Sequence, residues 1–309
     1  MASPTTGFFE TLVAASMDAA ANMATKFKNA MIDSIYYGYQ PLYNAAIGQT
    51  LSIIVPNVNE GNVVDIGASD IQISDTSHSN VTLTLNHKFS DSFIIRNFDQ
   101  LRTPLDIRQT FLDARMEEVL RKFNRSLCNL VTSGNFNSYT TVTGGNDTFT
   151  RSHLADGWNN LAGYGVPTDD PDNLCFLTHN RVYSNMLNEP SLVQQSIVGD
   201  APADASRSAV LLPTFGATLK YDQHFPQPTA ATTYSGLFFH RYAIAARAGV
   251  EASQADGSIR ETVVYPRQSL PVKIQTWNSG DKQGQVVHIS LCVGYGVIRP
   301  EFGSYFQTT

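Results

Sequence analysis

Residues 104–131 read PLDIRQTFLDARMEEVLRKFNRSLCNLV, and this stretch decides the fold of the chain. Its apolar residues recur at intervals of three or four, which places them on one stripe of an α-helix that can lie on a sheet or on another helix. Thr103 suits the N-cap and Pro104 suits the first helical position. At about 1.5 Å per residue the predicted helix is about 40 Å long, enough to be the spine of a domain. The stripe contains Leu105, Leu112, Met116, Val119, Leu120, Phe123, Leu127, Leu130 and Val131.

Charged residues of the same segment support one continuous helix. Glu117 precedes Arg121 by four residues, and Glu118 precedes Lys122 by the same interval. Side chains at this spacing are neighbours on a helix surface, and the order of an acidic residue before a basic one is the favourable order. We therefore expect two ion pairs on the exposed side of the predicted spine.

The region before the spine has the period of β-strands. Leu51, Ile53 and Val55 occupy alternate positions, and apolar or aromatic residues alternate with Thr, Asn and Lys through residues 81–89. Such alternation gives a strand one dry face and one wet face. Residues 56–86 are therefore predicted to project from the body as an extended β-hairpin. A hairpin has too little core to be stable alone, so we expect it to lie on an adjacent copy of the chain.

The first residues of the chain are rich in alanine and have a helical period. Residues 8–35 are predicted to form an amphipathic helix, because their larger side chains are three or four positions apart. Its polar face lacks the basic residues that a membrane-surface helix needs. We therefore expect an arm that packs on its own fold or on a neighbouring copy. Its apolar positions are Phe9, Val13, Met17, Ala20, Ala24, Phe27 and Met31.

Helical and strand patterns alternate after the spine. Residues 134–150 are polar and are predicted to form a loop or hairpin, and residues 151–162 a short helix. Residues 168–173 form an Asp-rich turn, which we expect to be a domain boundary. A buried strand is predicted at residues 174–178 and a helix at residues 180–187. Further strands are predicted at residues 209–212, 217–221, 236–245, 260–264, 272–276 and 286–298.

The overall composition argues against some classes of function. The 309 residues include 21 Lys and Arg and 27 Asp and Glu, which gives a net charge of −6 without any basic cluster. A dedicated nucleic-acid-binding protein needs such clusters. Only 16% of the residues are charged. Because protein interfaces are depleted of Lys and Glu, this composition fits a chain largely covered by other copies, and equally fits a weakly charged enzyme.

The cysteines and the hydropathy pattern limit the compartment. Cys128, Cys175 and Cys292 are scattered without C-x-x-C spacing, so they are predicted to be buried, reduced thiols. The N-terminus lacks the basic and apolar regions of a signal peptide. The chain has no run of 18 apolar residues, so no membrane-spanning helix is predicted.

No sequence motif for catalysis or metal binding is present. Asp169, Asp170 and Asp172 could gather a cation, but Pro171 interrupts them and no Glu follows at the spacing of a calcium loop. A turn is the favoured interpretation. The seven histidines are never four residues apart, and each is interpreted as a surface or half-buried polar residue. We predict no catalytic residue, no cofactor and no metal site.

Two pairs of glycines flank a tyrosine, in Gly163-Tyr-Gly165 and in Gly294-Tyr-Gly296. A dinucleotide-binding loop requires a third glycine, which is missing in both places. Both pairs are therefore predicted to be tight positions in a strand or a turn.

Five short segments occur in an informative order: residues 48–53, 81–95, 174–187, 215–226 and 294–301. This order resembles that of the major capsid proteins of tailed bacteriophages, which have the Hong Kong 97-type fold. It is most similar to the branch of coat proteins that assembles on a separate scaffolding protein. In that family the segments would be the entry into an extended loop, its return strand, the strand and helix that open the axial domain, a second axial-domain strand, and the closing peripheral-domain strand.

The resemblance implies an α+β fold with five parts. Residues 1–47 would be the N-terminal arm, and residues 48–96 the extended-loop hairpin with peripheral-domain strands. Residues 97–171 would form the peripheral domain with the spine helix, and residues 172–280 the axial domain without a large insertion. Residues 281–309 would hold the closing peripheral-domain strand and the C-terminus.

The resemblance also implies a structural function and a set of partners. Copies of the chain would form hexamers and pentamers of an icosahedral shell that encloses the phage genome in the virion, assembled in the host cytoplasm. A separate scaffolding protein is expected, because residues 1–47 are too few for a scaffold domain. A portal at one vertex, a cement or decoration protein, and packaged DNA contacted without sequence specificity are the other expected partners, and a membrane is not. No enzymatic activity is expected. Two other hypotheses remain open: an α+β enzyme, and a β-rich virion protein that binds host or carbohydrate.

Overall fold

The predicted spine is one unbroken α-helix, α1 (Ile107–Cys128), in the computed structural model of the chain. Pro104 and the other residues expected to begin it lie outside the residues that the structure describes. The helix ends at Cys128 rather than Val131, because the N–H of Leu130 bonds to the carbonyl of Leu127 and tightens the last turn. The described residues are 29–38, 50–56, 78–96, 107–143, 149–170, 172–189, 192, 211, 213–226, 233–249, 259–265, 270–281 and 283–308.

Strands make up most of the remaining described elements. The helices predicted at residues 151–162 and 180–187 are confirmed as α2 (Arg151–Gly163) and α3 (Asn180–Met186). The strand predicted at residues 174–178 is also confirmed. The described strands are β1 (Thr50–Pro56), β2 (His78–Thr84), β3 (His87–Arg96), β4 (Ser138–Val142), β5 (Leu174–Thr178), β6 (Thr218–Tyr221), β7 (Ser235–His240), β8 (Ile244–Gly249), β9 (Ile259–Tyr265), β10 (Leu270–Ser279), β11 (Gly284–Val297) and β12 (Gly303–Thr308).

The first large sheet is built around β11. Its strand order is β3-β11-β10-β9, all antiparallel, and β8 pairs with the C-terminal part of β11. Phe89 and Phe93 pair with Leu291 and Val287, so these residues share one face of the sheet. The spine α1 lies on this face. Its buried residues are Leu112, Met116, Val119, Leu120, Phe123, Leu127 and Cys128, so the predicted stripe is confirmed where it is described.

The second large sheet has the order β4-β12-β7-β5-β6. β12 is parallel to β4 and β5 is parallel to β6, whereas the other pairs are antiparallel. α2 packs on this sheet through Leu154 and Leu161, which are fully buried. Gly157 of α2 lies so close to Phe306 and Phe238 that an added β-carbon would press on both rings. A glycine in this helix therefore lets it lie close to the sheet.

Besides the passage from β3 through α1 to β4, the chain crosses between the two large sheets at two adjacent places. β7 leads into β8 through a short 3₁₀ helix, Arg241–Ala243, and β11 leads into β12 through another, Pro300–Phe302. The N–H of Ile298 donates to the carbonyl of Ala243 (2.8 Å) and ties the crossings together. The prediction of one strand over residues 236–245 was therefore wrong. The 3₁₀ helix ends β7, and β8 continues in the other sheet.

The strand predicted over residues 81–89 is likewise two strands. β2 ends at Thr84 and pairs with β1, whereas β3 begins at His87 and pairs with β11. Leu85 and Asn86 connect the two sheets. The alternation runs through both strands because each has one dry face, so the sequence pattern alone does not reveal the change of partner.

Two further predictions differ from the structure. The polar segment 134–150 contains β4, which pairs in parallel with β12 rather than forming a hairpin. The helix predicted at residues 8–35 does not reach its expected end. Ile32–Ser34 form a 3₁₀ turn and Ile35 is extended, because Tyr36 makes two backbone hydrogen bonds of 3.0 Å with β8. Residues 8–28, and residues 209, 210 and 212 of a predicted strand, lie outside the described residues.

The expected domain boundaries stay a prediction. β8, β9 and β10 fall within residues 172–280, and they join the sheet that β3 and β11 form. β12 falls within residues 281–309, and it joins the sheet that contains β5, β6 and β7. Each large sheet is thus built from segments that are distant in sequence.

Candidate assembly surfaces

The extended hairpin has one dry face and one wet face, as its alternation predicts. β1 and β2 form a separate two-stranded antiparallel sheet. Ile53, Val55 and Leu83 are buried against the body of the protein, whereas Ile54 is 65% exposed. The tip of the hairpin, residues 57–77, lies outside the described residues. That it lies on an adjacent subunit therefore remains a prediction.

The hairpin leaves the body where β11 has no side chain. A β-carbon at Gly294 would overlap the carbonyl group of Thr84, at the end of β2. Gly296 has more room, because its β-carbon would lie 3.4 Å from Cδ2 of Leu83. Two backbones can approach this closely only at a glycine. The prediction of a tight strand position is confirmed at Gly294, which fixes the place where the hairpin crosses the sheet, whereas Gly296 leaves room for a β-carbon at ordinary contact distance.

The centre of the spine is held on the first sheet by aromatic packing. Phe123 is fully buried, and its ring centroid lies 5.7 Å from that of Phe89 and 5.9 Å from that of Tyr295. Nearer the start of α1, a guanidinium nitrogen of Arg115 lies 3.1 Å from a carboxylate oxygen of Asp91 on β3. The apolar contact supplies most of the attraction, since a partly exposed ion pair contributes at most about 1 kcal/mol.

The two ion pairs predicted on the outer side of the spine are confirmed. Glu117 and Arg121 approach to 2.7 Å, and Glu118 and Lys122 approach to 3.2 Å. Pairs of this kind on a helix contribute a few tenths of a kcal/mol each and weaken in salt. They support the helix and leave its outer side charged.

An edge of the second sheet carries an exposed tyrosine that is held in place. Tyr139 of β4 is 48% exposed, and its ring stacks on that of Tyr305 at 5.6 Å. Its hydroxyl donates to Oε1 of Gln307 (3.3 Å). Burial raises the pKa of Tyr305 to about 12, so this phenol stays protonated. An immobilised aromatic side chain on an uncharged edge strand is a candidate contact between copies.

A buried polar cluster joins three separate parts of the chain. Asn124, four residues before the end of α1, donates from Nδ2 to Oδ2 of Asp222 (2.6 Å), just after β6. Its Oδ1 accepts the N–H of Ile32 (3.3 Å). Asp222 also accepts the N–H of His224 through Oδ1 (2.9 Å). Asn124 and Asp222 are 1% and 5% exposed, so these bonds are shielded from water.

Three histidines have structural roles at turns. The Nδ1 atoms of His153, His179 and His240 each accept a backbone N–H two or three residues away, at 3.1, 3.2 and 3.4 Å. An accepting Nδ1 requires an imidazole that is not protonated at that atom. Burial lowers the pKa of both His179 and His240, which favours this neutral form. His153 is half-buried, as predicted, whereas His179 and His240 are buried more deeply than the sequence led us to expect.

The subunit is expected to lose stability as the pH falls below about 6.5, the ordinary pKa of histidine. His179 and His240 have lowered pKa values in the folded protein, so the unfolded chain binds more protons below that pH. Their contribution is complete above pH ~6.5 and is lost as the pH falls toward their folded pKa values. Urea unfolding at pH about 7.5 and about 5.5 measures the difference.

Two variants isolate the contribution of the buried His240 ring to the pH dependence of stability. His240→Asn keeps an acceptor oxygen for the N–H of Tyr242 but cannot titrate, so its stability should depend less on pH than that of the wild type. Ser133→Asn, at an exposed position just after α1, removes no titratable group and should show the pH dependence of the wild type. An identical pH dependence in His240→Asn and in the wild type would contradict the assignment.

The other candidate sites from the sequence are also structural where they are described. Oδ2 of Asp170 accepts a hydrogen bond from Nδ2 of Asn173 (2.5 Å), which confirms the predicted turn. Among the described residues, no three His, Cys, Asp or Glu side chains are grouped as a metal site. Cys128, Cys175 and Cys292 are buried thiols, as predicted. No helix in the described part of the chain is long and apolar enough to cross a membrane.

Comparison with solved structures identifies the fold. The capsid structure of cyanophage P-SCSP1u superposes with a TM-score of 0.65 at 12% identity, over 89% of this chain and 90% of that chain. A structure from Mycobacterium phage Che8 gives a TM-score of 0.62 at 13% identity, over 90% of both chains. The holo-SrpI encapsulin complex from Synechococcus elongatus PCC 7942 gives a TM-score of 0.51 at 11% identity, over 92% of this chain and 88% of that chain. No family model matches the sequence, and no curated protein matches it.

The chain has the fold of phage capsid subunits. The similarity extends over nine tenths of the chain in both phage structures. The α+β, Hong Kong 97-type fold predicted from the order of short segments is therefore confirmed. At 12–13% identity the resemblance lies in the arrangement of the elements, and not in shared side chains.

Proposed function

We propose that this chain is the major capsid protein of a tailed bacteriophage, and that its copies assemble into the icosahedral shell around the genome. The observation that supports this most directly is the fold shared with the P-SCSP1u capsid over nearly the whole of both chains. A capsid subunit is a structural protein, so we propose no catalytic activity and no cofactor.

Physical features of the subunit support the proposal. A closed shell is made by repeating the same contacts around symmetry axes, so its subunits need surfaces that reach over their neighbours. The β1–β2 hairpin buries only one face and has its tip beyond the described strands. The edge strand β4 presents Tyr139 and has no charged residue to oppose pairing. Both features suit contacts between copies.

We propose the partners and location that this function requires. Copies would be arranged in hexamers and pentamers, with a portal at one vertex and a separate scaffolding protein during assembly in the host cytoplasm. A cement or decoration protein would bind outside the shell. Packaged DNA would contact the inner surface weakly and without sequence specificity, because a net charge of −6 without a basic cluster gives little attraction to phosphates.

We propose the five parts of the chain with the boundaries expected from the sequence. The arm would be residues 1–47, the extended loop with its stem residues 48–96, the peripheral domain residues 97–171, the axial domain residues 172–280 and the closing strand residues 281–309. α1 and β3 support the peripheral assignment, and β5 with α3 supports the axial one. The pairing of β12 with β7 indicates that the last residues also contribute to the axial sheet.

The proposal predicts that the purified protein forms particles of megadalton mass, alone or with its scaffolding protein. The 33.9 kDa chain would otherwise remain a monomer or small oligomer. Multi-angle light scattering followed by electron microscopy measures the mass and the symmetry. Closed shells of uniform diameter are the expected result. A monomer or dimer under all assembly conditions, with the scaffolding protein present, would contradict the proposal and favour an enzyme or a host-binding protein.

A second candidate is a shell compartment that holds protein. The similarity to the encapsulin complex, over 92% of this chain, is the observation that favours it. The larger TM-scores of the phage structures favour the capsid. The contents of particles isolated from the native source distinguish the two. Nuclease-protected DNA of uniform length is expected for the capsid, and an enclosed protein without DNA would favour the compartment.

A further inference from the structure

The buried contact between Asn124 and Asp222 connects the two large sheets of the subunit. Asn124 belongs to α1, which packs on the first sheet, and Asp222 follows β6 at the edge of the second sheet. Their side chains meet at 2.6 Å although they are 98 residues apart in sequence. A buried hydrogen bond to a carboxylate is short and directional. It therefore restricts how far the end of β6 can move relative to α1.

The same asparagine also holds the segment 29–38. The N–H of Ile32 donates to Oδ1 of Asn124, so both ends of the amide are engaged. A few residues on, Oγ of Ser34 accepts a hydrogen bond from Nζ of Lys220 on β6 (3.0 Å) and donates to the carbonyl of Ala30 (2.7 Å). The segment is thus bound to α1 on one side and to the second sheet on the other.

The orientation of the Asn124 amide is fixed by its partners. If the amide turned over, its NH₂ group would face the N–H of Ile32 and its oxygen would face the carboxylate of Asp222. Both contacts would be repulsive. The contact with Asp222 and the docking of Ile32 therefore form together or not at all.

We propose that Asn124 and Asp222 form a latch that sets the angle between the two large sheets and thereby selects one curvature of the shell. This inference rests on the proposed capsid function. The angle within the subunit affects how neighbouring copies meet, so holding that angle within a narrow range favours shells of one diameter. Asn124 and Asp222 belong to neither of the crossings at Arg241–Ala243 and Pro300–Phe302, so their contact is an independent restraint on the angle.

The chain offers an exchange that tests the latch. Asn124→Asp places a second carboxylate against that of Asp222. Asp222→Asn leaves a single side-chain oxygen at position 222 for two donors, Nδ2 of Asn124 and the N–H of His224. The double variant Asn124→Asp/Asp222→Asn restores the hydrogen bond between the two side chains and those to Ile32 and His224. The new carboxylate at position 124 accepts from Ile32 and from the new amide at position 222, whose oxygen still accepts from His224. Only the long contact from Asn124 Nδ2 to Cys128 Sγ (3.9 Å) is lost.

Particle size is the first measurement. Electron microscopy of assembled material should show uniform shells for the wild type and the double variant, and a mixture of diameters or open sheets for both single variants. Asn129→Asp, which adds the same charge at an exposed position just after α1, is the matched control and should remain uniform. Uniform shells from either single variant would overturn the latch, as would a double variant as heterogeneous as the single ones.

Hydrogen exchange of the unassembled subunit is the second measurement, and it does not depend on assembly. The amide of Ile32 should exchange faster in both single variants than in the wild type, and the double variant should recover the slow rate. If the wild type forms no shell but shows this pattern, the capsid function fails and the latch between the sheets stands. If the amide of Ile32 exchanges equally in all four proteins, the latch is refuted whatever the particles show.

Discussion

Phe123→Ala is expected to lower the free energy of unfolding of the subunit by about 3–5 kcal/mol. The ring is fully buried between the spine and the first sheet, where it meets Phe89 and Tyr295. Removing it leaves a cavity that the surrounding backbone cannot fill, because the sheet and the helix hold both walls in place. Urea denaturation of unassembled subunits, followed by circular dichroism, measures the loss.

The matched control for Phe123 is on the same helix. Phe111 is 46% exposed, although its ring lies 6.0 Å from that of Phe93. Phe111→Ala removes the same atoms from a half-solvated position, so the loss should be clearly smaller. Equal losses in the two variants would show that burial at the centre of the spine does not dominate its stability.

Gly294→Ala is expected to prevent correct seating of the extended hairpin and to reduce strongly the yield of closed shells. The added β-carbon would overlap the carbonyl of Thr84, which is backbone and cannot rotate away. Overpacking of this kind costs roughly 1–3 kcal/mol when the structure relaxes. Here relaxation means moving the stem of the hairpin off β11, and with it the tip that we propose to contact a neighbour.

Gly296→Ala provides the comparison for this effect. It adds the same methyl group to the same strand, at 3.4 Å from the flexible end of Leu83. Its subunits should unfold at nearly the wild-type urea concentration and should assemble. The yield of shells by sedimentation, normalised to soluble subunit, measures the difference. Equal yields from the two variants would show that the crossing at Gly294 does not position the hairpin.

Periodic segments were predictable because one side of each meets a flat partner. The stripe of α1 and the alternation in β1 and β2 follow from elements that bury a single face. Phe123 could therefore be placed at the interface, and Ile53 on the dry side, without coordinates. The boundaries within continuous apolar stretches could not be placed. Residues 235–249 are buried almost throughout, and no Gly or Pro marks the 3₁₀ helix at Arg241–Ala243.

Long-range polar contacts were missed for a different reason. Asn124 lies four residues from both Leu120 and Cys128, so it falls on the apolar stripe of the spine. A polar residue at such a position indicates a buried hydrogen bond, so the sequence does predict that Asn124 has a partner. It does not identify the partners, Ile32 and Asp222, because they are 92 and 98 residues away in the chain. Strand β12 was missed because it is short and its place beside β4 and β7 depends on the whole topology.

The place of β11 and β12 in the sheets has a consequence for synthesis of the protein. β11 lies between β3 and β10, and β12 lies between β4 and β7, so a strand from the last part of the chain is central to each large sheet. A nascent chain that has been synthesised only as far as β10 contains β3 and β10 without β11 between them, and β4 and β7 without β12 between them. Neither sheet is complete until its central strand has been synthesised, because β11 and β12 follow every other strand of their sheets in the chain. Contacts of such large sequence separation also slow folding, so shorter chains that lack β11 and β12 expose unpaired strand edges in both sheets.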